Sequence, residues 1–120
     1  MRASGDAFEL RACAELERAG LKLLARNYST RYGELDLVML DRHTVVFVEV
    51  RYRKNATYGD AAASVTASKQ SKLIKSAQLW LAAHSKWARF DCRFDVVAYN
   101  GPAEDTSMMW LQNGFETQST

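Results

Sequence analysis

The chain has 120 residues, of which 48% are hydrophobic and 25% charged, a composition typical of one globular domain. No apolar run approaches the roughly 18 residues that a membrane-spanning helix needs, and the first residues lack the apolar core of a signal peptide. We therefore expect one cytoplasmic domain over residues 1–116, followed by a flexible tail at 117–120.

Positive charge is concentrated in the middle of the chain. The net charge is only +2, but residues 42–89 contain nine basic and two acidic residues. A basic segment of this kind attracts a polyanion, of which nucleic acid is the commonest. A solvated charged surface has the same composition, so charge alone leaves both interpretations open.

The N-terminal part of the chain combines a helix with a short strand. Residues 5–19 are predicted to be helical because apolar side chains recur with the 3.6-residue period and Gly20 follows as a natural stop. A strand is predicted at 21–27, and the polar residues at 28–33 predict a turn.

A hairpin is the next predicted element. Residues 34–40 and 44–51 are rich in β-branched and aliphatic residues, and only three polar residues (41–43) separate them. The second strand alternates two faces, with Val45, Phe47, Glu49 and Arg51 on one and Val46, Val48 and Val50 on the other.

The C-terminal half adds a second helix and further strands. A loop is predicted at 52–65, an amphipathic helix at 67–84, a strand at 93–99 and a fifth strand at 107–112. The order α-β-β-β-α-β-(β) predicts an α/β fold in which helices flank a mixed sheet.

Carboxylates stand where apolar residues are expected. Glu9 lies within the apolar arc of the first helix, and Glu49 interrupts an otherwise apolar strand. Glu34 and Asp36 share one face of the preceding strand. Burying a carboxylate is unfavourable unless another group pairs with it, so these positions indicate either ion pairs or a site.

The hairpin brings two of these carboxylates together. A loop of two or four residues places Asp36 opposite Glu49, with Cβ atoms roughly 4.5–5.5 Å apart. A loop of three residues would place them on opposite faces of the sheet. Two opposed carboxylates need a cation between them or a raised pKa, and carboxylate oxygens suit Mg²⁺ or Mn²⁺.

A structural ion-pair network is the alternative interpretation of the same residues. Its expected pairs are Glu49 with Arg51 or Arg53, Asp36 with Arg31, and Glu9 with a backbone group. Convergence of all three carboxylates in one place would favour a site over such a network.

Three motifs carry a resemblance to a known family. They are ARNY at 25–28, RYGELDLV at 31–38 and VFVEVR at 46–51, with RFDVV at 93–97 as a further match. Together they closely resemble the YraN family of small bacterial proteins, and the resemblance covers about residues 5–111. That family is similar to a branch of the PD-(D/E)xK nuclease superfamily that includes archaeal Holliday-junction resolvases.

The resemblance implies a restriction-endonuclease-like fold and a set of functional residues. Asp36 matches the first acid of the superfamily, Glu49-Val50-Arg51 its E-x-K element, and Glu9 the glutamate of the first helix. Gln70 resembles the polar residue on the helix that follows. Arg51 departs from the usual lysine, and arginine can stabilise a phosphate but does not shed a proton.

The leading hypothesis is therefore a metal-dependent endonuclease that acts on nucleic acid, with branched or structured DNA favoured over RNA. Asp36, Glu49 and Glu9 are the expected ligands of Mg²⁺ or Mn²⁺, with Arg51 and Gln70 completing the catalytic set. The competing hypothesis is a non-catalytic nucleic-acid-binding module, or an accessory protein in DNA processing, that retains the nuclease fold. The resolvase likeness also implies a homodimer.

Basic and aromatic residues near these positions are candidate nucleic-acid contacts. The candidates are Arg53, Lys54, Lys69, Lys72, Lys75, Tyr32 and Tyr52, with Tyr58 as a further tyrosine near the site. The lysines could follow a phosphate backbone, and the tyrosines could stack on unpaired bases. A solvated helix face and ordinary tyrosine packing are the alternatives.

Overall fold

A computed structural model describes residues 3–54 and 60–115, so Tyr58 and the tail at 117–120 lie outside the described residues. The elements are α1 (Ala3–Arg18), β1 (Lys22–Thr30), β2 (Gly33–Asp41), β3 (Thr44–Arg53), α2 (Asp60–Ala63), α3 (Ala67–Ala83), a 3₁₀ turn (Ser85–Trp87), β4 (Asp91–Asn100) and β5 (Ser107–Phe115). The mixed α/β architecture and the predicted order of elements are confirmed, with α2 as an addition inside the predicted loop 52–65.

The five strands form one sheet in the order β1-β2-β3-β4-β5. Strands β3 and β4 are parallel, and the other neighbouring pairs are antiparallel. The connection between the parallel strands contains α2 and α3, as a crossover between parallel strands requires.

Helices cover both faces of the sheet. Phe8, Ala12 and Leu16 of α1 pack on one face, and Leu73 and Trp80 of α3 pack on the other. The alternation predicted for β3 is observed, since Val46 and Val48 belong to the α1 side and Val45 and Phe47 to the α3 side. No described helix is both long enough and apolar enough to cross a membrane.

The β2–β3 hairpin has a two-residue loop, the geometry that brings Asp36 and Glu49 together. Asp41 pairs with Thr44, and Arg42 has a φ of 60°, the left-handed conformation that such tight hairpin turns require. The same register continues to the pair Leu37 and Val48. The next residues on the two strands are Asp36 and Glu49.

Strand β1 is longer than the sequence pattern predicted. Residues 28–30, predicted as part of a turn, pair with the start of β2 because their backbone groups find ladder partners there. The observed turn therefore contains only Arg31 and Tyr32. The Thr30 hydroxyl closes it by accepting from the Tyr32 amide at 3.0 Å and donating to the Gly33 carbonyl at 3.0 Å.

Candidate active site

The acidic residues lie at the end of the sheet where β2 begins and β3 ends. Beyond the pair Leu37 and Val48, the side chain of Asp36 reaches across the strands. Its Oδ2 atom accepts a hydrogen bond from the Val50 amide at 2.9 Å. This contact orients the carboxylate at the mouth of the hairpin, although Asp36 is only 6% exposed.

Three carboxylates converge here from two elements. One carboxylate oxygen each from Glu9, Glu34 and Asp36 lies within 4.8 Å of the others. Glu9 is buried because its neighbours Phe8 and Ala12 anchor α1 in the core, and Glu34 is half-buried. The ligand oxygens around one Mg²⁺, each about 2.1 Å from the ion, lie about 3–4 Å apart. Small side-chain movements would therefore let these three oxygens share one ion.

Glu49 lies beside Asp36 and differs from an ordinary glutamate. Burial raises its pKa, and the negative charge of Asp36 raises it further, to about 8. Lys69 and Arg51 act in the opposite direction without cancelling these effects. A hydrogen bond to Asp36 also contributes, so the two carboxyl groups hold a proton between them in the metal-free protein.

Arg51 is fixed by its surroundings. Its Nη1 atom lies 3.4 Å from Glu49 Oε2, and its Nε donates to the Ser64 hydroxyl at 2.9 Å. Ser64 in turn donates to the Ala61 carbonyl at 2.6 Å. The short helix α2, which the sequence pattern did not predict, therefore supports the guanidinium.

A second cation reaches the same carboxylate oxygen. Lys69 Nζ lies 3.3 Å from Glu49 Oε2, and its side chain is 40% exposed against 23% for Arg51. Thr66 caps α3 and accepts from the Lys69 amide at 3.3 Å, so Lys69 projects from the first turn of the helix. Lys69, which the sequence analysis named as a candidate phosphate-backbone contact, thus also contacts a carboxylate of the acidic site.

A pocket of about 540 Å³ opens above these residues, between the start of β2 and the first half of α3. Its floor contains Asp36 and Glu49, and its walls include Tyr32, Lys69 and Lys72. An anionic ligand that entered it would meet lysine side chains at the rim and reach the carboxylates at the bottom.

Three of the predicted site residues, Gln70, Arg53 and Lys54, lie outside the pocket. Gln70 is half-buried but donates to the Val65 carbonyl at 3.1 Å and does not line the pocket. Its observed contact supports the loop before α3. Arg53 and Lys54 are exposed at the end of β3, outside the pocket wall.

The two tyrosine candidates within the described residues have different surroundings. Tyr52 stacks on Phe8, with ring centroids 4.2 Å apart, and so packs against the α1 core. Tyr32 lines the pocket, with the Arg31 guanidinium 5.0 Å and the Lys75 ammonium 5.3 Å from its ring centre.

Glu34 is the residue of the site that sequence reasoning left out of the proposed ligands. The three carboxylate oxygens that lie within 4.8 Å of one another come from Glu9, Glu34 and Asp36, while Glu49 lies beside Asp36 and shares a hydrogen bond with it. The available signal was the two-residue spacing of Glu34 and Asp36, which places both on one strand face.

Comparisons with known proteins agree with the resemblance to the YraN family. Residues 8–99 match the family described as "Uncharacterised protein family UPF0102". A UPF0102 protein of Stutzerimonas stutzeri (strain A1501) is 53% identical over 116 residues, covering 97% of both chains.

Two further relatives extend the comparison. A UPF0102 protein of Pectobacterium carotovorum is 52% identical over 118 residues, covering 98% of this chain and 97% of the relative. The UPF0102 protein YraN of Escherichia coli (strain UMN026) is 50% identical over 117 residues, covering 97% of this chain and 86% of the relative. The chain therefore belongs to the UPF0102 family, which includes the proteins called YraN.

Proposed function

We propose that this protein is a metal-dependent nuclease that hydrolyses phosphodiester bonds in DNA. The observation that carries the proposal is the convergence of Glu9, Glu34 and Asp36, two of which, Glu34 and Asp36, line a pocket that Lys69 and Lys72 also line. Carboxylates at the base suit a divalent cation, and lysines at the rim suit the phosphates of a substrate.

The residues present fit Mg²⁺ or Mn²⁺. The donor set consists of carboxylate oxygens, which these hard cations prefer, and it lacks the thiolate and imidazole ligands that favour zinc. The raised pKa of Glu49 supports the same conclusion, because a second negative charge beside Asp36 is unfavourable without a cation. Glu9, Glu34 and Asp36 would hold the ion, and Glu49 would join them after losing its proton.

A bound ion would lower the pKa of a water molecule and offset the charge of the scissile phosphate. Lys69 and Arg51, which both contact Glu49 Oε2, would stabilise the additional negative charge that develops on the phosphate during hydrolysis. Arg51 is held by Ser64, so it would act from a fixed position and would also keep Glu49 in place. Lys69 is more exposed and can reach a phosphate in the pocket.

The arrangement of elements also supports a relationship to the PD-(D/E)xK nucleases. Asp36 and the Glu49-Val50-Arg51 segment lie on adjacent antiparallel strands, and Glu9 comes from the first helix. This is the placement that the sequence resemblance implies for the first acid, the E-x-K element and the helix glutamate. The lysine missing from that element has a spatial counterpart in Lys69 on α3.

The test is cleavage of four-way, flapped, duplex and single-stranded DNA in Mg²⁺ or Mn²⁺. The wild type would run beside Asp36→Asn and Glu34→Gln, with Asp91→Asn as a matched control. Asp91 is exposed at the start of β4, at the opposite end of the sheet from the site. We expect metal-dependent cutting by the wild type and the control, and a loss of at least about 100-fold in the two site variants.

Two results would contradict this proposal. Binding of DNA by the wild type without cutting, and unchanged by EDTA, would indicate a non-catalytic binding module. Cutting that survives in both site variants would show that the activity comes from another site or from a contaminant.

A further inference from the structure

We infer that the pocket receives an unpaired strand, with one base stacked on Tyr32 beside the phosphate that is cut. This inference rests on the proposed nuclease function and specifies its substrate class as DNA that is single-stranded or locally unpaired at the cleavage site.

Tyr32 lies on the pocket wall, in a turn whose backbone is held by hydrogen bonds. The Thr30 hydroxyl accepts from the Tyr32 amide at 3.0 Å, which closes the turn that carries the ring. The same hydroxyl lies 2.7 Å from the hydroxyl of Ser76, a residue of α3 that is 1% exposed. The turn on one side of the pocket is therefore hydrogen-bonded to the helix on the other, so the backbone that carries the ring does not have to be ordered when a ligand binds.

Cations surround the ring. The Arg31 guanidinium and the Lys75 ammonium lie over the Tyr32 ring, 5.0 Å and 5.3 Å from its centre, and both residues are exposed. A base that stacks on the ring therefore takes the place of one of these side chains, which then remains close enough to contact the adjoining phosphate. Lys72, also exposed, follows on the pocket wall towards Lys69. Proteins that bind single-stranded nucleic acid combine an aromatic ring with nearby cations. The ring stacks on a base, and the cations neutralise the phosphates of the nucleic-acid backbone.

A ring at this position favours DNA that is unpaired at the cleavage site over continuous duplex DNA. In a continuous duplex each base is covered on both faces by its neighbours, so a protein ring can stack only on a base that is terminal, frayed or flipped out. Asp36 and Glu49, at the floor of the pocket, are only 6% and 5% exposed. A phosphate must enter the pocket to approach them, and an unpaired strand enters without bringing its complement over the rim.

The experiment measures binding separately from cleavage. An Asp36→Asn protein would be titrated with a single-stranded oligothymidylate containing one 2-aminopurine, and with a duplex of the same length whose two ends are each closed by a hexaethylene glycol linker so that no free end is available for stacking. The fluorescence of 2-aminopurine falls when the base stacks. Tyr32→Leu removes the ring, Tyr32→Phe retains it, and Lys75→Gln serves as a charge control.

We expect Tyr32→Leu to weaken single-strand binding about 5- to 100-fold and to abolish the quenching. We expect Tyr32→Phe to preserve both the single-strand affinity and the quenching. In either Tyr32 variant, the affinity for the duplex should change by less than about twofold. Lys75→Gln should weaken the binding of the single strand and of the duplex to a similar degree, since a contact with phosphate does not depend on base pairing.

The other outcomes are distinguishable. Equal affinity for duplex and single strand, or single-strand binding that Tyr32→Leu leaves unchanged, would overturn this inference and leave the nuclease proposal intact. Failure of the wild type both to bind and to cut any of these DNAs would overturn the nuclease proposal, and this inference with it.

Discussion

Glu49 keeps its proton at neutral pH in the metal-free protein, because burial and the charge of Asp36 raise its pKa to about 8. In the unfolded chain the same group ionises near its ordinary value of 4.5. Between these two pH values the folded protein binds more protons than the unfolded chain. Rising pH therefore favours unfolding over this window.

The first prediction concerns Glu49→Gln, which removes the titrating group and keeps the shape of the side chain. In EDTA, the wild type should lose up to about 1.4 kcal/mol of unfolding free energy for each pH unit between 5 and 8 through this residue. Glu49→Gln should reduce that slope, and Asp91→Asn should not. Urea denaturation at pH 5, 6.5 and 8 measures it, and an unchanged slope in Glu49→Gln would contradict the proton assignment.

The second prediction separates two lysines of the pocket wall. Lys69 contacts Glu49 at 3.3 Å, whereas Lys72 lines the same pocket one helical turn further along and is exposed. Lys69→Met should lower kcat by about 10²–10³-fold, as loss of a charge-stabilising group does in other enzymes. Lys72→Met should mainly raise KM, because a rim lysine contributes to binding before and during the reaction alike.

Steady-state cleavage of a single-stranded oligonucleotide gives both constants. Equal effects of the two substitutions on kcat would show that Lys69 has no special role beside Glu49. Lys69→Arg provides a further comparison, since it keeps the charge and should retain more activity than Lys69→Met.

The sequence predicted the main acids of the site more fully than the contacts around them. Asp36, Glu49 and Glu9 were identifiable because a carboxylate on an apolar face is costly, and that cost is visible in the residue pattern alone. Glu34 and Lys69 were not identified as members of the acidic site. Their placement depends on the turn before β2 and on the angle at which α3 crosses the sheet, and neither is encoded in local periodicity.

At the scale of elements, a buried carboxylate holds the last two strands together. Asp95 is 0% exposed and accepts from Arg93, from Trp110 Nε1 at 3.0 Å and from the Asn113 amide at 3.0 Å. The register of β4 and β5 shifts at this point, and Asn113 has a φ of 53°. Asp95 thus stabilises a β-bulge, and Arg93 extends the network to Asp41 at the hairpin.

The third prediction is that Asp95→Ala destabilises the fold by about 3–5 kcal/mol, because it leaves the Arg93 charge without its buried partner. Denaturant unfolding measures the change. The double variant Asp95→Leu with Arg93→Met should recover part of the loss, since apolar groups need no pairing. A loss below about 1 kcal/mol in Asp95→Ala would contradict a structural role for the network.

The elements themselves were largely predictable, and their ends were not. The cores of α1, β2, β3, α3 and β4 follow strong apolar periods, so their existence and order were inferred correctly. Helix α2 was missed because four residues, DAAA, are too few to display a helical period. The extension of β1 was missed because its last residues are polar, and pairing with β2 decides their conformation.

At the scale of the whole molecule, the basic middle segment and the acidic site form one feature. Residues 42–89 include β3, α2 and α3, so the cations Arg51, Lys69, Lys72 and Lys75 are delivered to one side of the sheet. The acids come from α1, β2 and β3. The fold thereby places carboxylates beside a row of cations, an arrangement that would let a chain of net charge +2 attract both the metal ion and the polyanion that the proposed function requires.

The fourth prediction follows from this arrangement: Mg²⁺ or Mn²⁺ should stabilise the entire fold. An ion that binds only the folded state adds about 2.7 kcal/mol at a concentration 100 times its Kd, which corresponds to a rise in Tm of about 10 °C for a domain of this size. The gain should be larger at pH 8 than at pH 6, because the ion must displace the proton of Glu49. Thermal unfolding with MnCl₂ and with EDTA measures the gain.

Asp36→Asn and Glu34→Gln should lose the metal-dependent gain in Tm, while Asp91→Asn retains it. A Tm that responds to Mn²⁺ equally in all four proteins would show that the ion binds elsewhere, and a Tm unaffected by saturating Mn²⁺ in the wild type would remove the metal site on which the nuclease proposal depends.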